Sequence, residues 1–180
     1  MPVTLSFLGR TMRDQIIVRP ERPRDRDRVR LISEAAFGRS DEADLIDGLR
    51  ADGVILLSLV AERTEGIVGH ILFSRMSIET PQGRIPAVSL APMAVLPDCQ
   101  HSGIGSQLVR YGLDELRHRG ERIVIVLGHE HYYPRFGFST EKAGQLSSPF
   151  PPEAYMALEL AEGALSGIRG VVRYPAAFGL

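Results

Sequence analysis

Chemistry in this sequence concentrates in short stretches, and the first is "QHSGIG", residues 100–105, between an apolar run and a helix-like pattern. Gly103 and Gly105 carry no Cβ, so the backbone there can curl and approach a ligand closely. The amides of His101, Ser102, Gly103, Ile104, Gly105 and Ser106 stand at a helix start. Unpaired N–H groups and the positive end of a helix dipole together make an anion site. A pyrophosphate is a natural occupant. A plain strand-to-helix turn would use the same glycines, and the loop alone does not separate the two readings.

The second stretch, "SLAPMAVLP", puts Pro92 inside an otherwise regular strand pattern. Proline cannot donate to a ladder, so it marks an edge or a bulge. If this strand diverges there from the strand at 122–128, its backbone groups lie open beside the glycine loop. An extended ligand with amide groups can pair with such an edge. A pyrophosphate site beside an open edge suits coenzyme A, whose pantetheine arm carries two amides. The third stretch is "YYPRFGF", with Tyr133 four residues before Gly137. A phenol placed at the end of the pantetheine arm can give a proton to a departing thiolate; packing over the sheet is the plainer role for both tyrosines.

Competing readings fail on spelling. A phosphate loop of the GxxxxGK[ST] type needs a lysine, and none is present here. A dinucleotide fingerprint, GxGxxG, has Leu108 where its third glycine should stand, and at least three strands precede it instead of one. "HEH" at 129–131 is not HExxH and lacks an evident third ligand, so no metal is expected. Cys99 has no identifiable activating partner and reads as a bystander thiol.

Several elements must position these stretches. "IIVR" at 16–19 is a short strand. Val29, Ile32 and Ala36 recur at helical spacing over 24–37, closed by Gly38. "SDEADLIDGLRADG" is a second helix, with Ser40 or Asp41 as N-cap and Leu45 and Leu49 on its apolar face. The pattern then predicts three antiparallel strands, 55–62, 67–79 and 85–95, turning at Thr64–Gly66 and Pro81–Gly83. A helix at 105–119 buries Leu108, Gly112 and Leu116. "RIVIVLG", 122–128, is a strand buried on both faces. Weaker strands follow at 155–160 and 168–174. Such an order is not the strand–helix alternation of a doubly wound dinucleotide fold.

At 180 residues, 44% hydrophobic and 24% charged, the chain predicts one α/β (α+β) domain over 15–180 behind an N-terminal tail at 1–14. The net charge of −1 gives no reason to expect nucleic-acid or membrane partners, and Lys142 is the only lysine. One cysteine allows no intrachain disulfide and fits a cytoplasmic protein. The apolar patch near the start is interrupted by Arg10, too early for a secretory signal. The alternating charges of "RPRDRDRVR" read as the solvated face of the first helix.

Taken together, the strand–helix–helix–three-strand opening, the [RQ]xxGx[GA] loop at Gln100–Gly105 and the closing "YxxxGF" at Tyr133–Phe138 resemble the GNAT superfamily of acetyl-CoA-dependent N-acetyltransferases. "LAPMAVLPDCQHSGIGSQLV" with "YPRFGF" is similar to a YhbS-like bacterial subgroup. The resemblance implies a mixed sheet with antiparallel N-terminal strands, splayed between the fourth and fifth strands and flanked by helices. It implies that acetyl-CoA is the co-substrate, that Gln100 to Ser106 hold its pyrophosphate, that Met93, Ala94 and Val95 pair with pantetheine, and that Tyr133 is the general acid. A primary amine on a small molecule or a peptide would be the acceptor, attacking the thioester directly; a homodimer is compatible with this. Strand 85–95 has no glutamate where some members keep a base. Ser89, His129, Glu130 and the acids at 41–44 stay open as proton acceptors or water holders. A coenzyme A-binding module without catalysis is the alternative from another class.

Overall fold

In the computed structural model, residues 15–180 are described, so the expected tail at 1–14 lies outside the described residues. The strands are β1 (Ile17–Pro20), β2 (Ile55–Arg63), β3 (Gly66–Thr80), β4 (Gly83–Val95), β5 (Ile123–Leu127), β6 (Leu146–Ser147), β7 (Tyr155–Glu159) and β8 (Gly170–Arg173). The helices are α1 (Arg26–Phe37), α2 (Asp41–Ala51), α3 (Ile104–His118) and the single turn α4 (Thr140–Ala143). All strands join one sheet in the order β1-β2-β3-β4-β5-β7, with β8 beside β3 and β6 beside β8. Only β4–β5 and β6–β8 run parallel. This is the mixed, open sheet with antiparallel N-terminal strands that the family resemblance implies.

Side-chain alternation along β3 decides what each face carries. Ile71 and Phe73 point to one side and pack with Leu108, Val109, Leu113 and Leu116 of α3. Leu72 points to the other and packs with Val29, Ile32, Ile46 and Leu49 of α1 and α2. Farther along that second face, Met76 and Ile78 meet Ile123, Ile125, Tyr155, Ala157 and Val172, which the C-terminal strands bring over. Helix α3 lies close to the sheet because Gly112 has no side chain: a Cβ there would sit 2.3 Å from the Phe73 ring.

Four local readings change in the structure. Helix α2 buries Ala43, Ile46 and Leu49, with Leu45 only half-buried. Ser40 gives its hydroxyl to Asp44 at 2.9 Å and does not cap the helix amides. Asp25, in the run expected to be solvated, is 5% exposed. It accepts from Arg19 Nη1 at 2.6 Å and from the Arg22 amide at 2.8 Å, so a partner on β1 and a local turn draw it inward. Strand β5 meets a neighbour on both sides, but its last residue, Leu127, is exposed.

Candidate active site

A cleft opens where β4 leaves β5. The two strands pair only at Val88–Val124, Ser89–Ile125 and Leu90–Val126. Next, Ala91 and Pro92 together face the single residue Leu72 of β3, between the pairs Phe73–Leu90 and Ile71–Met93. That extra residue is a bulge, and bulges bend the strand that carries them. From Met93 to Val95, β4 pairs with β3 alone. Leu96 donates its amide to Val68 O at 2.9 Å. By alternation the Ala94 amide also turns toward β3, and the N–H and C=O groups of Met93 and Val95 point into the cleft. Gln100 Nε2 donates to Val95 O at 3.0 Å, tying the loop back to this edge.

The glycine loop follows at once. None of the six amides from His101 to Ser106 donates to a described residue, and the first helical bond runs from Gln107 N to Gly103 O. Six consecutive free donors at a helix start form a concentrated anion site. The two glycines serve different ends. Gly103 has φ +85°, a left-handed conformation that a side chain disfavours, with open space where its Cβ would be. Gly105 is needed for packing, because a Cβ there would lie 2.7 Å from Tyr132 Oη and 3.4 Å from Met93 Cε. Ser102 Oγ donates to Cys99 O at 2.5 Å, and buried Ile104 anchors the helix start.

Arg135 completes this end of the site. Its guanidinium lies 4.3 Å from the Tyr132 ring centroid and donates through Nη2 to Ser106 Oγ at 3.3 Å. A stacked cation therefore stands beside the free amides. Tyr133 sits one residue from Tyr132 and is turned inward, 7% exposed, edge-on to Phe138 and to Tyr132. Burial, with a smaller effect from Tyr132, pushes its phenol well above the ordinary tyrosine range, so it stays protonated at neutral pH. Gly128 at the end of β5 makes room for it: a Cβ there would lie 2.2 Å from Tyr133 Cε2.

Residues 18–140 match the family model described as "Acetyltransferase (GNAT) domain". The chain belongs to the GNAT acetyltransferase family. It is 41% identical over 138 residues to the N-acetyltransferase YjhQ of Escherichia coli K12, covering 74% of this chain and 76% of that one. It is 33% identical over 162 residues to the N-acetyltransferase YhbS of the same strain, covering 88% and 96%. The crystal structure of E. coli YhbS in complex with CoA superposes with a TM-score of 0.85 at 32% identity, over 92% of this chain and 93% of that one. A Brucella melitensis GNAT acetyltransferase in complex with acetyl-CoA gives a TM-score of 0.77 at 35% identity, over 92% and 99%.

Within this GNAT chain Met93 and Val95 lie on the open edge and Gln100 to Ser106 in the loop, with Tyr133 next to Tyr132, whose hydroxyl covers Gly105; Ala94, expected on the edge as well, turns its amide to β3 instead. Of the expected proton acceptors, His129 is exposed and opens the turn that carries Tyr133, its carbonyl accepting from the Tyr132 amide at 3.0 Å; the others have partners or places of their own. Asp41, Glu42 and Asp44 pair with Arg39 and Arg30. Glu130 lies in an exposed loop, 3.2 Å from His131. Ser89 is 2% exposed, on the face opposite α3. Among the described residues no group of three or more His, Cys, Asp or Glu side chains is placed to hold a metal ion, and no helix is long and apolar enough to cross a membrane.

Sequence reasoning missed Arg135 and a buried polar chain on the α1–α2 face. In that chain Arg50 Nη2 donates to Glu21 Oε1, Ser58 Oγ donates to Glu21 Oε2 at 2.5 Å, and His70 Nε2 lies 2.8 Å from Ser58 Oγ. With the Ser58 proton given to Glu21, His70 donates from Nε2 and leaves Nδ1 as a bare acceptor. Burial holds His70 below its ordinary pKa, against the pull of Glu21, so it is neutral. Desolvation opposes the ionisation of Glu21, but bonds from His70 and Ser58 and the charge of Arg50 outweigh it and lower its pKa. A lone histidine in a strand pattern was the only sequence signal.

Proposed function

We propose that residues 15–180 form one catalytic unit that transfers the acetyl group of acetyl-CoA to a primary amine by direct attack. The observation that carries this reading is the row of six free amides, His101 to Ser106, abutting a strand edge at Met93 and Val95 that no second strand covers. Their chemistry matches a pyrophosphate followed by two amides, and the relatives solved with CoA and acetyl-CoA support it. Arg135 adds charge at the pyrophosphate end.

In the proposed reaction the amine nitrogen forms a bond to the thioester carbonyl carbon, and the carbon–sulfur bond breaks. The outward N–H of Met93 or Val95 stabilises charge on the carbonyl oxygen, an effect typically worth ~3 kcal/mol for one donor. Tyr133, held protonated by burial, gives its proton to the leaving thiolate, and the proton that the amine nitrogen loses passes through water to the tyrosinate, which restores Tyr133. The cleft holds both reactants in place and so removes a bimolecular encounter from the barrier. Thiol release from acetyl-CoA in the presence of an amine panel tests this. Tyr133→Phe is expected to lower kcat by about 10²-fold or more with coenzyme A affinity unchanged. Binding of acetyl-CoA with no acetylated amine in wild type would reject catalysis in favour of a binding module.

A further inference from the structure

Two guanidiniums lie against one ring beside the loop. Arg135 Cζ is 5.5 Å and Arg110 Cζ 5.6 Å from the centroid of Phe136. A line of contacts links this pair to the strand edge. Met93 Cε and the Tyr132 hydroxyl both close over Gly105, where a Cβ would meet them at 3.4 and 2.7 Å. Arg135 covers the Tyr132 ring, Tyr132 packs on Phe136 with centroids 5.4 Å apart, and Arg110 lies against Phe136 in turn. The line therefore runs from the edge, past the free amides, to the exposed face of α3. Ser106, the last of the free amides, and Arg110 share that face at a spacing of four residues.

Neither arginine has an anion of its own. Among the described residues, no carboxylate lies within ion-pair distance of Arg110 or Arg135. Asp114, one turn beyond Arg110 on the same face, is held by Arg117 at 2.8 Å, and Glu115 by Arg119 at 2.8 Å. Arg135 is nevertheless fixed in place. Its Nε donates to Tyr132 O at 3.1 Å and its Nη2 to Ser106 Oγ at 3.3 Å, with the Tyr132 ring beneath it. A guanidinium ordered by neutral partners keeps its full charge, and its remaining N–H donors stay free for a ligand. Both residues are exposed, so an anion reaches them from solvent.

Coenzyme A carries one charged group that the amides and the strand edge leave unplaced. The ribose beyond the pyrophosphate bears a 3′-phosphate, a monoester with a charge of about −1.5 to −2 at pH 7. We propose that Arg110 and Arg135 hold this 3′-phosphate, and that the protein thereby selects coenzyme A over its 3′-dephospho form. The subsite rests on the coenzyme A site proposed above and adds a second phosphate position to it. The pantetheine arm leaves the loop along Met93 and Val95, so the nucleoside leaves it on the other side, along Ser106. There the ester meets guanidiniums, whose planar forks match phosphate oxygens in pairs. Arg135, bonded to Ser106, serves the pyrophosphate as well; Arg110, one turn on, meets the 3′-phosphate alone.

The test is calorimetric titration of coenzyme A and 3′-dephospho-coenzyme A into wild type, Arg110→Ala and Arg110→Lys. Arg110 is exposed and alanine favours a helix, so α3 and the melting temperature are expected to stay as they are. Wild type binds coenzyme A about tenfold tighter than the dephospho form, a preference that shrinks as salt is raised. Arg110→Ala weakens coenzyme A about fivefold and leaves the dephospho form unchanged, so the preference narrows to about twofold. Arg110→Lys, a point charge without the fork, recovers part of the loss. Displacement of coenzyme A by adenosine 3′,5′-bisphosphate and by adenosine 5′-phosphate repeats the comparison without pantetheine. The bisphosphate competes better in wild type and loses that advantage in Arg110→Ala. Equal affinity of wild type for coenzyme A and its dephospho form, or an Arg110→Ala variant that weakens both alike, overturns the subsite while the coenzyme A site stands. If neither form binds wild type, the coenzyme A site and the subsite fall together.

Discussion

Replacing Gly128 by alanine tests the placement of Tyr133 without touching the tyrosine. The new Cβ would stand 2.2 Å from Tyr133 Cε2 and 2.7 Å from Cδ2, where ordinary contact begins near 3.4 Å. The ring must therefore withdraw by roughly 1.2 Å, the difference between those distances, and its hydroxyl lies beyond the clash and moves with it. Misplacing a reacting group by ~1 Å costs about 10²-fold in rate. The overpacking itself costs about 1–3 kcal/mol of stability. Gly112→Ala is the matched control: its Cβ would meet the Phe73 ring at 2.3 and 2.5 Å, on the middle of α3 and away from the loop. Thiol release, coenzyme A titration and thermal melting are measured on both variants. Both are expected to melt lower, while only Gly128→Ala loses kcat, and both keep coenzyme A affinity. If Gly128→Ala works within threefold of wild type while its melting drop matches that of Gly112→Ala, Tyr133 is not the proton donor.

Other outcomes follow from the same geometry. Gly103→Ala forces a side chain into the left-handed region at φ +85°, a strain of about 1–2 kcal/mol, and is expected to weaken coenzyme A binding about tenfold by titration while the open space there spares the core. Arg135→Ala removes the cation stacked on Tyr132 beside Ser106; coenzyme A affinity should fall and lose part of its salt dependence, and an unchanged salt slope would place Arg135 off the ligand. Acid should destabilise the fold in two steps. His70 is depressed below its ordinary value of 6.5 by burial, so below that pH the unfolded chain takes up a proton that the native state refuses. Glu21 is held below 4.5, so its contribution is present above that value and disappears as pH falls through its native pKa. Melting temperature should drop from pH 7 to 5 in wild type, and His70→Gln should flatten that limb only; a flat wild-type profile there would show that His70 is not held neutral.

What could be read in the sequence is what local pattern encodes. Period-two runs located β2, β3 and β4 within a few residues, because each buries a face along its whole length. Pro92 located the bulge, since a missing donor is a local property. The spacing of Gly103 and Gly105 located the free amides. The unreadable parts are made by residues distant in the chain. Tyr132 fills the space over Gly105, and Arg135 reaches Ser106 across 29 positions. Glu21, Arg50, Ser58 and His70 come from four separate segments, each ordinary in its own context. Asp25 looked solvated because its partner, Arg19, lies on a strand that precedes its helix. The short β8 gave only a weak apolar pattern, and its pairing with β3 at Ser77–Glu79 depends on β2 beginning only opposite Ser74 and leaving that edge free.

The position of the loop over the cleft is itself a packing result. Gly69 of β3 pairs with Val95, the edge residue that Gln100 holds, and a Cβ on it would meet Ile104 at 3.1 Å, Leu108 at 3.2 Å and Ala94 O at 3.3 Å. Ile104, almost fully buried, is the first residue of α3, so contact with this bare strand position fixes the helix start. Gly112 does the same two turns on against Phe73. The free amides therefore stand beside Met93 and Val95 because two side-chain-free positions, one on the strand and one on the helix, let α3 settle onto the sheet. An anion site assembled this way needs no flexible lid to form. Its donors are aimed by the same contacts that hold the core, and a substitution at Gly69, which touches the helix start and the strand edge at once, acts on ligand binding and on stability together.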